Sequence, residues 1–216
     1  TMGMEVRRER IFSMLQELYA PRGIFEKSSG KMRKPERLEP RVELVTGECP
    51  PLIPFQQHGL TFLNDVMEGH KTGFFLDQRD NREATSRYVM AGTRVLDGFS
   101  YTGGFSLVAA KVGAQVTAFD ISERALFVAR DAAARNGLVD RCVFQQADAF
   151  AMMRELEESR AQFDMVILDP PAFAKHKGVL PSALRGYRAL NRRAMTLLPD
   201  GGILVSCSCT QQVSEG

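Results

Sequence analysis

Five short apolar runs that alternate with helical stretches dominate the chain from residue 94 onward. The runs RVLDGF, QVTAFD, CVFQQAD, DMVILD and GILVSCS have the length of strands and are bounded by turn residues. Strands that alternate with helices form parallel sheets with helices on both faces. We therefore predict an α/β fold with a doubly wound, mainly parallel sheet, whose strands cover 94–99, 115–120, 142–148, 164–169 and 202–208.

The remaining elements suggest a smaller part that precedes this sheet. The apolar spacing of residues 4–20 predicts a helix, and short runs broken by Gly and Pro over 23–78 predict a small antiparallel β module. Its strands are expected at GIFEKS, VELVT, LIPFQQHG, LTFLND and GFFLD. Two later helices are predicted: one over 81–91 with Asp80 and Glu83 as a capping box, and one over 122–135 with Ser122 as N-cap. We expect three segments: a helix and basic arm over 1–22, a β-rich module over 23–80, and the α/β domain over 81–216.

Composition narrows the class of protein. The 216 residues suit one domain with a small appendage. There is no apolar run of the roughly 20 residues that span a bilayer and no apolar signal-peptide core, so we expect a cytoplasmic protein that does not enter membranes. The four cysteines contain no C-x-x-C pair and the three histidines are not spaced as zinc ligands, so no metal site is expected.

The charge of the chain is small but unevenly placed. The net charge is +2, yet residues 1–41 carry ten basic and six acidic side chains, which leaves the remainder at net −2. A basic arm of this kind suits a polyanionic partner such as RNA, and a solvated surface segment is the alternative.

The loop after the first strand of the α/β part indicates a cofactor. In DGFSYTGGFS (97–106) a Gly-rich turn lies between a strand and a helix, which lets a ligand approach the backbone. The spacing is not G-x-G-x-x-G, and the bulky Phe99 and Tyr101 interrupt the glycines, which disfavours an NAD-dependent oxidoreductase. Such a loop better suits S-adenosylmethionine (SAM), which has no phosphates and carries a sulfonium cation that aromatic faces attract.

Two acidic residues end the next two strands. Asp120 follows Asp97 by 23 residues and could accept hydrogen bonds from ribose hydroxyls, and Asp148 could bind the adenine amino group. The alternative for each is a strand-end cap.

The fourth strand of the α/β part ends in LDPPAFAKHK (168–177). Two prolines stiffen this loop at the carboxyl end of a central strand, where ligands bind in such sheets. Asp169 can present acceptors to the amino group of a base, Phe173 can stack on that base, and Lys175 and Lys177 can neutralise phosphates. A plain strand-to-helix turn with solvated lysines is the alternative.

The fifth strand ends in ILVSCSC, which contains Cys207 and Cys209. In an extended chain both thiols would lie on one face, and the usual winding order places this strand beside the fourth. A thiolate there could attack C6 of a cytosine and activate C5 for methylation. A metal site lacks partner ligands, and a disulfide between residues i and i+2 would be strained. A nucleophile and core packing remain as roles for the two thiols, and we expect Cys209 to fill the core.

Several stretches together resemble a known family. GHKTGFFLDQRDNR (69–82), VLDGFSYTGGFS (95–106), LDPPAFAKHK (168–177), GGILVSCS (201–208) and VTGECPPLIPFQQHGLTFLND (45–65) resemble the bacterial 23S, or large-subunit, ribosomal RNA cytosine-C5 methyltransferases. The resemblance implies a Rossmann-like class I SAM-dependent methyltransferase domain over 81–216, with Cys207 and Asp169 in catalysis and ribosomal RNA as partner. It implies a SAM site lined by Phe99, Ser100, Tyr101, Gly103, Asp120, Asp148 and Asp169, which Gln78 and Arg79 help to close. A homodimer is a further expectation.

The chain departs from that family in three ways. Many members begin with an RNA-binding PUA domain and continue past the Ser-Cys-Ser motif, so we expect this chain to lack that domain and to be incomplete at its C-terminal end. Ala172 stands where two-cysteine enzymes have a second thiol, so the base that removes the C5 proton is unassigned; Cys209 could serve. N-methylation of a purine without a covalent step, and a non-catalytic SAM- or RNA-binding module, remain alternatives.

Overall fold

The computed structural model describes residues 1–70, 73–173 and 180–209. The chain divides into two compact units: Thr1–Phe55 with Asn64–Phe74, and Gln56–Leu63 with the described residues from Phe75 onward. In the described ranges, no helix is both long and apolar enough to cross a membrane.

The first unit contains two helices and an antiparallel strand pair. Its elements are α1 (Met2–Glu5), α2 (Arg8–Tyr19), β1 (Gly23–Ser28), a 3-10 helix (Lys31–Glu36) and β2 (Arg41–Gly47). β1 and β2 pair from Gly23 opposite Gly47 to Ser28 opposite Arg41, as expected for the GIFEKS and VELVT runs. Arg8 binds the carboxylates of Glu9, Glu26 and Glu43 in this unit.

A hairpin follows, made of β3 (Ile53–Gln57) and β4 (Leu60–Asn64). His58 and Gly59 both have positive φ, 51° and 67°, which is the geometry of the two-residue type I′ turn that matches strand twist. The strand expected at GFFLD is wrong, because Leu76–Gln78 forms a 3-10 helix in which Leu76 is 67% exposed.

α3 (Arg79–Ser86) begins and ends earlier than the predicted 81–91. Gln78 occupies the N-cap position and makes no side-chain cap bond. The predicted cap is wrong because the carboxylate of Asp80 lies inside the helix and accepts a hydrogen bond from Arg79 Nε at 2.9 Å.

The second unit contains the predicted parallel sheet. Its five strands are β5 (Arg94–Gly98), β6 (Gln115–Asp120), β7 (Cys142–Gln146), β8 (Met165–Leu168) and β9 (Ile203–Ser206). They lie in the order β7-β6-β5-β8-β9, all pairs are parallel, and each strand falls inside one of the five predicted runs. Ser122 caps the helix Glu123–Arg135 by accepting a hydrogen bond from the Ala125 amide, as predicted. The helices that alternate with these strands are α4 (Gly104–Val112), α5 (Glu123–Arg135), α6 (Ala149–Glu158) and α7 (Leu180–Thr196).

The sheet order decides where a ligand can bind. The winding direction reverses at β5, which pairs with β6 on one side and β8 on the other. Right-handed crossovers then place α4 and α5 on one face and α6 and α7 on the other. Ligands of such sheets bind in the crevice at the carboxyl ends of the strands where the winding reverses. The core beside α6 and α7 includes Leu96, Phe119, Met153, Val166, Leu168 and Leu190.

Candidate active site

The loop that follows β5 holds an unusual backbone conformation. Phe99, Tyr101 and Gly103 all have positive φ, at 63°, 50° and 77°. Hydrogen bonds from the Ser100 amide to Phe119 O (3.1 Å) and from the Gly103 amide to Ser100 O (2.8 Å) hold the turn. Two non-glycine residues in the left-handed region cost about 1–3 kcal/mol each, and such strain concentrates at ligand sites.

Asp120 anchors this loop from the end of β6. Its two carboxylate oxygens accept hydrogen bonds from the Tyr101 and Ser122 amides, both at 2.9 Å. An ionised carboxylate has about four acceptor positions, so these two bonds leave capacity for hydroxyl donors of a ligand. Asp120 therefore lies where a ribose acceptor is predicted and also shapes the loop.

Asp148 caps a helix at the end of the neighbouring strand. It is exposed, and its Oδ1 accepts a hydrogen bond from the Ala151 amide at 3.0 Å, which begins α6. The strand-end cap that is the alternative role for Asp148 is thus present. The other carboxylate oxygen, Oδ2, has no hydrogen bond to a described residue and stays available to a ligand.

Asp97 is a site residue that sequence reasoning missed. It is 1% exposed, and its Oδ2 accepts a hydrogen bond from Ser106 Oγ at 2.5 Å. Its Oδ1 and the Oγ of Ser100 are buried without a partner among the described residues. Burial, helped by the charges of Asp169 and Asp120, raises the pKa of Asp97 to about 7. A buried polar atom without a partner is costly, and a ligand that donates to it removes that cost.

Asp169 lies half-buried at the end of β8. Burial raises the pKa of its carboxyl to about 6, while the charge of Arg82 opposes the rise and that of Asp77 adds to it. Gln78 Nε2 donates to Asp169 Oδ1 at 3.4 Å. The structure thus brings together Asp169 and Gln78, two of the predicted site residues.

Arg82 is the second residue that sequence reasoning missed. It is 4% exposed, and its guanidinium donates to Phe75 O at 2.6 Å and to Gln57 Oε1 at 3.2 Å. Burial lowers the pKa of Arg82 to about 10, and the carboxylates of Asp169, Asp77 and Asp97 counteract the fall. Arg82 is therefore charged at neutral pH. The only sequence signal was its place in the LDQRDNR stretch.

Cys207 joins this group from the chain that leaves β9. Its amide donates to Leu168 O at 2.8 Å, which places Cys207 beside Asp169, the residue that follows the neighbouring strand β8. Burial, with the charges of Asp169 and Asp97, raises the pKa of its thiol to about 11, and a hydrogen bond with the Gln78 side chain acts against the rise. Cys207, Asp169 and Gln78 therefore lie together, with the thiol protonated at neutral pH.

The expectation that Cys209 fills the core is wrong. β9 ends at Ser206, so strand alternation does not extend to either cysteine. Cys209 is exposed rather than part of the core, and its thiol contacts Pro170 O at 3.8 Å.

Three predicted residues remain: Arg79, Phe173 and Lys175. The guanidinium of Arg79 is largely exposed and pairs with Asp80 rather than with the other site residues. Phe173 lies in an aromatic cluster, with ring centroids 4.6 Å from Tyr187, 6.1 Å from Phe150 and 6.4 Å from Phe99. Lys175, like Lys177, lies outside the described residues.

Comparison with known proteins identifies the family. Residues 26–215 match the model of the S-adenosylmethionine-dependent methyltransferases. The chain belongs to this family. The ribosomal RNA large subunit methyltransferase I of Shigella boydii is 43% identical over 211 residues, which is 96% of this chain and 53% of that protein. The chain therefore spans about half the length of the curated relatives it matches.

Solved structures share the fold of this chain. A candidate SAM-dependent methyltransferase from Streptococcus mutans has a TM-score of 0.79 and 24% identity, over 98% of this chain and 54% of that one. A candidate methyltransferase complexed with SAH has a TM-score of 0.76 and 26% identity, over 94% of this chain and 52% of that one. The predictions of a Rossmann-like methyltransferase fold and of SAM as cofactor are confirmed.

The residues present fit SAM. Its ribose hydroxyls and its ammonium are hydrogen-bond donors, and the loop offers the partnerless Asp97 Oδ1 together with the remaining capacity of Asp120. A side chain on Gly103 would be disfavoured, because φ is 77° and a Cβ would make tight contacts of 3.2 Å with Ala129 Cβ and 3.3 Å with Phe144. Phe99 and Tyr101 add aromatic surface. In the part of the chain that the structure describes, no group of three or more metal-ligating side chains occurs.

Proposed function

We propose that this chain is the catalytic part of an enzyme that methylates C5 of a cytosine in large-subunit ribosomal RNA. The single observation that supports it best is the convergence of the Cys207 thiol with Asp169 and Gln78, beside the cofactor loop. The relative that names the substrate class is the ribosomal RNA large subunit methyltransferase I, at 43% identity.

Cys207 acts as the nucleophile in this proposal. Its thiolate adds to C6 of the cytosine, which forms an S–C6 bond and makes C5 nucleophilic. When bound, SAM would supply an electrophilic methyl group on a positively charged sulfur, and SAH would be the leaving group. Once C5 carries the methyl group, loss of the C5 proton to a base restores the ring and expels the Cys207 thiolate.

The neighbouring groups control the charge state of that thiol. In the structure, burial and two carboxylates hold the pKa of Cys207 at about 11. A positive charge bound at Asp97 and Asp169 offsets those carboxylates and lowers the pKa of the thiol. The nucleophile is therefore activated when the cofactor site is filled.

Asp169 acts on the base in this proposal, and Phe173 stacks on it. With a pKa of about 6, the carboxyl of Asp169 can gain or lose a proton near neutral pH. It can therefore hold the amino edge of cytosine and then donate to the ring nitrogen, whose basicity rises when sulfur adds to C6. Arg82 moderates this equilibrium, and Lys175 is the proposed phosphate contact beside the base.

The test combines product analysis with covalent trapping. Large-subunit RNA from cells that lack the modification is incubated with labelled SAM, digested, and analysed for methylated nucleosides by mass spectrometry. Wild type should give 5-methylcytidine, Cys207→Ala should give none, and Cys49→Ala is the matched control that should retain activity. RNA that carries 5-fluorocytidine should form an adduct that resists denaturation with wild type but not with Cys207→Ala, because fluorine cannot leave C5 as a proton does.

Two outcomes would replace the proposal. A methylated purine formed regardless of Cys207 would indicate N-methylation without a covalent step. SAH binding by calorimetry without transfer to any RNA would indicate a non-catalytic SAM-binding module.

A further inference from the structure

The exposed face of α7 carries an arginine row that the function above does not use. This 17-residue helix contains four arginines and no acidic residue. Arg185, Arg188 and Arg192 are exposed and occupy positions i, i+3 and i+7, so they share one face of the helix. The opposite face is buried through Ala183, Leu190 and Ala194.

Two of these arginines have no counter-charge in the part of the chain that the structure describes. Arg192 lies 3.5 Å from the carboxylate of Glu157, which Arg193 also binds. In contrast, neither Arg185 nor Arg188 has an ion-pair partner among the described residues. An unpaired arginine keeps its full capacity for a bidentate contact with a phosphate.

The basic arm predicted from the sequence differs in this respect. Arg8 binds three glutamates, and Arg33 and Arg41 both bind Glu5 at 3.0 Å. Much of the positive charge of residues 1–41 is therefore neutralised within the first unit. Local charge complementarity to a polyanion is stronger on α7.

α7 is also joined to the proposed base-binding residue. The Tyr187 ring lies 4.6 Å from the Phe173 ring, centroid to centroid, and a Cβ on Gly186 would lie 3.4 Å from Phe173. The turn of helix that carries Arg185 and Arg188 thus packs directly behind Phe173. Seven residues of helix rise about 10 Å, so the row extends away from that point.

We propose that Arg185, Arg188 and Arg192 bind phosphates of the RNA strand on one side of the target nucleotide. This inference rests on the proposed function, because the strand is guided by the base held at Phe173. Phosphate contacts of this kind set register and affinity but read no sequence.

The salt dependence of binding tests it. Binding of a fluorescent single-stranded fragment of large-subunit ribosomal RNA is measured by anisotropy at several salt concentrations. Each lost phosphate contact reduces the slope of log K against log salt by about 0.7, so Arg185→Gln with Arg188→Gln should reduce it by about 1.4. The matched control is Arg154→Gln with Arg160→Gln, which removes two exposed arginines from α6 and the turn after it. Unchanged SAH affinity in both double variants verifies the fold.

The outcomes separate this inference from the proposed function. A reduced slope confined to the α7 variant supports the phosphate contacts, even where the product is a methylated purine. An unchanged slope and affinity overturns them, even where wild type makes 5-methylcytidine. Equal losses in the two double variants, or no RNA binding by wild type, also overturn the inference.

Discussion

Replacing Asp97 with asparagine should stabilise the protein at alkaline pH while weakening its cofactor site. The pKa of Asp97 is about 7 in the folded protein, against an ordinary value of 3.8, chiefly because the carboxyl is buried. The folded state therefore holds a proton between these values that the unfolded state has released, and stability is lost as pH rises through about 7. About three pKa units at about 1.36 kcal/mol per unit make this loss about 4 kcal/mol.

The Asp97→Asn variant lacks this titration. The introduced amide would match the size of the protonated carboxyl and could accept the Ser106 hydrogen bond, so the two proteins should have similar free energies of unfolding near pH 4. By pH 8 the variant should be more stable by about 4 kcal/mol. SAH affinity should fall in the same variant, since the partnerless carboxylate oxygen is lost.

Urea unfolding at pH 4 to 8 measures the difference. Asp164→Asn is the control. The Arg94 amide lowers the pKa of Asp164, so removing this carboxylate should leave intact the decrease in stability as pH rises toward 8. Parallel curves for wild type and Asp97→Asn across this pH range would refute the reasoning, because no buried proton would then be linked to folding.

Three other substitutions probe the site. Arg82→Met should shift the pH–rate profile of methyl transfer to higher pH, because the pKa of Asp169 rises without that charge, and Arg82→Lys should restore much of it. Asp120→Asn should weaken SAH binding about tenfold in calorimetry, since an amide cannot accept both backbone hydrogen bonds. Gly98→Ala should lower the urea-unfolding free energy by about 1–3 kcal/mol, because its Cβ would lie 2.7 Å from Phe119 Cζ.

The sheet could be predicted from sequence because each strand is a short apolar run with a clear boundary. MVIL is buried at every residue, and the Ser122 cap begins α5 where its pattern predicts. The errors occur where local signals compete. Asp80 has the spacing of a capping box, but the 3-10 turn at Leu76–Gln78 leads directly into α3 and starts it earlier.

The candidate site was predictable where residues follow strands and obscure where partners are distant in sequence. Asp120 ends β6 and Asp169 directly follows β8, and the pattern of apolar runs locates both positions. Arg82 matters because it is buried and donates hydrogen bonds to Phe75 O and Gln57 Oε1. No local sequence pattern links Arg82 to these two partners. Asp97 has the same difficulty, because an aspartate at the end of a strand reveals neither its burial nor its missing hydrogen-bond partner.

The sheet order also has a consequence for biosynthesis. β5, β6 and β7 are consecutive in the chain and adjacent in the sheet, whereas β8 and β9 add to the other side of β5. At about 5–20 residues per second, the chain from Gln146 to Ser206 takes roughly 3 to 12 s to translate. The strands that carry the cofactor loop and Asp120 can therefore pair before the proposed nucleophile has been synthesised. Half of the candidate active site would then assemble while the chain is still attached to a translating ribosome.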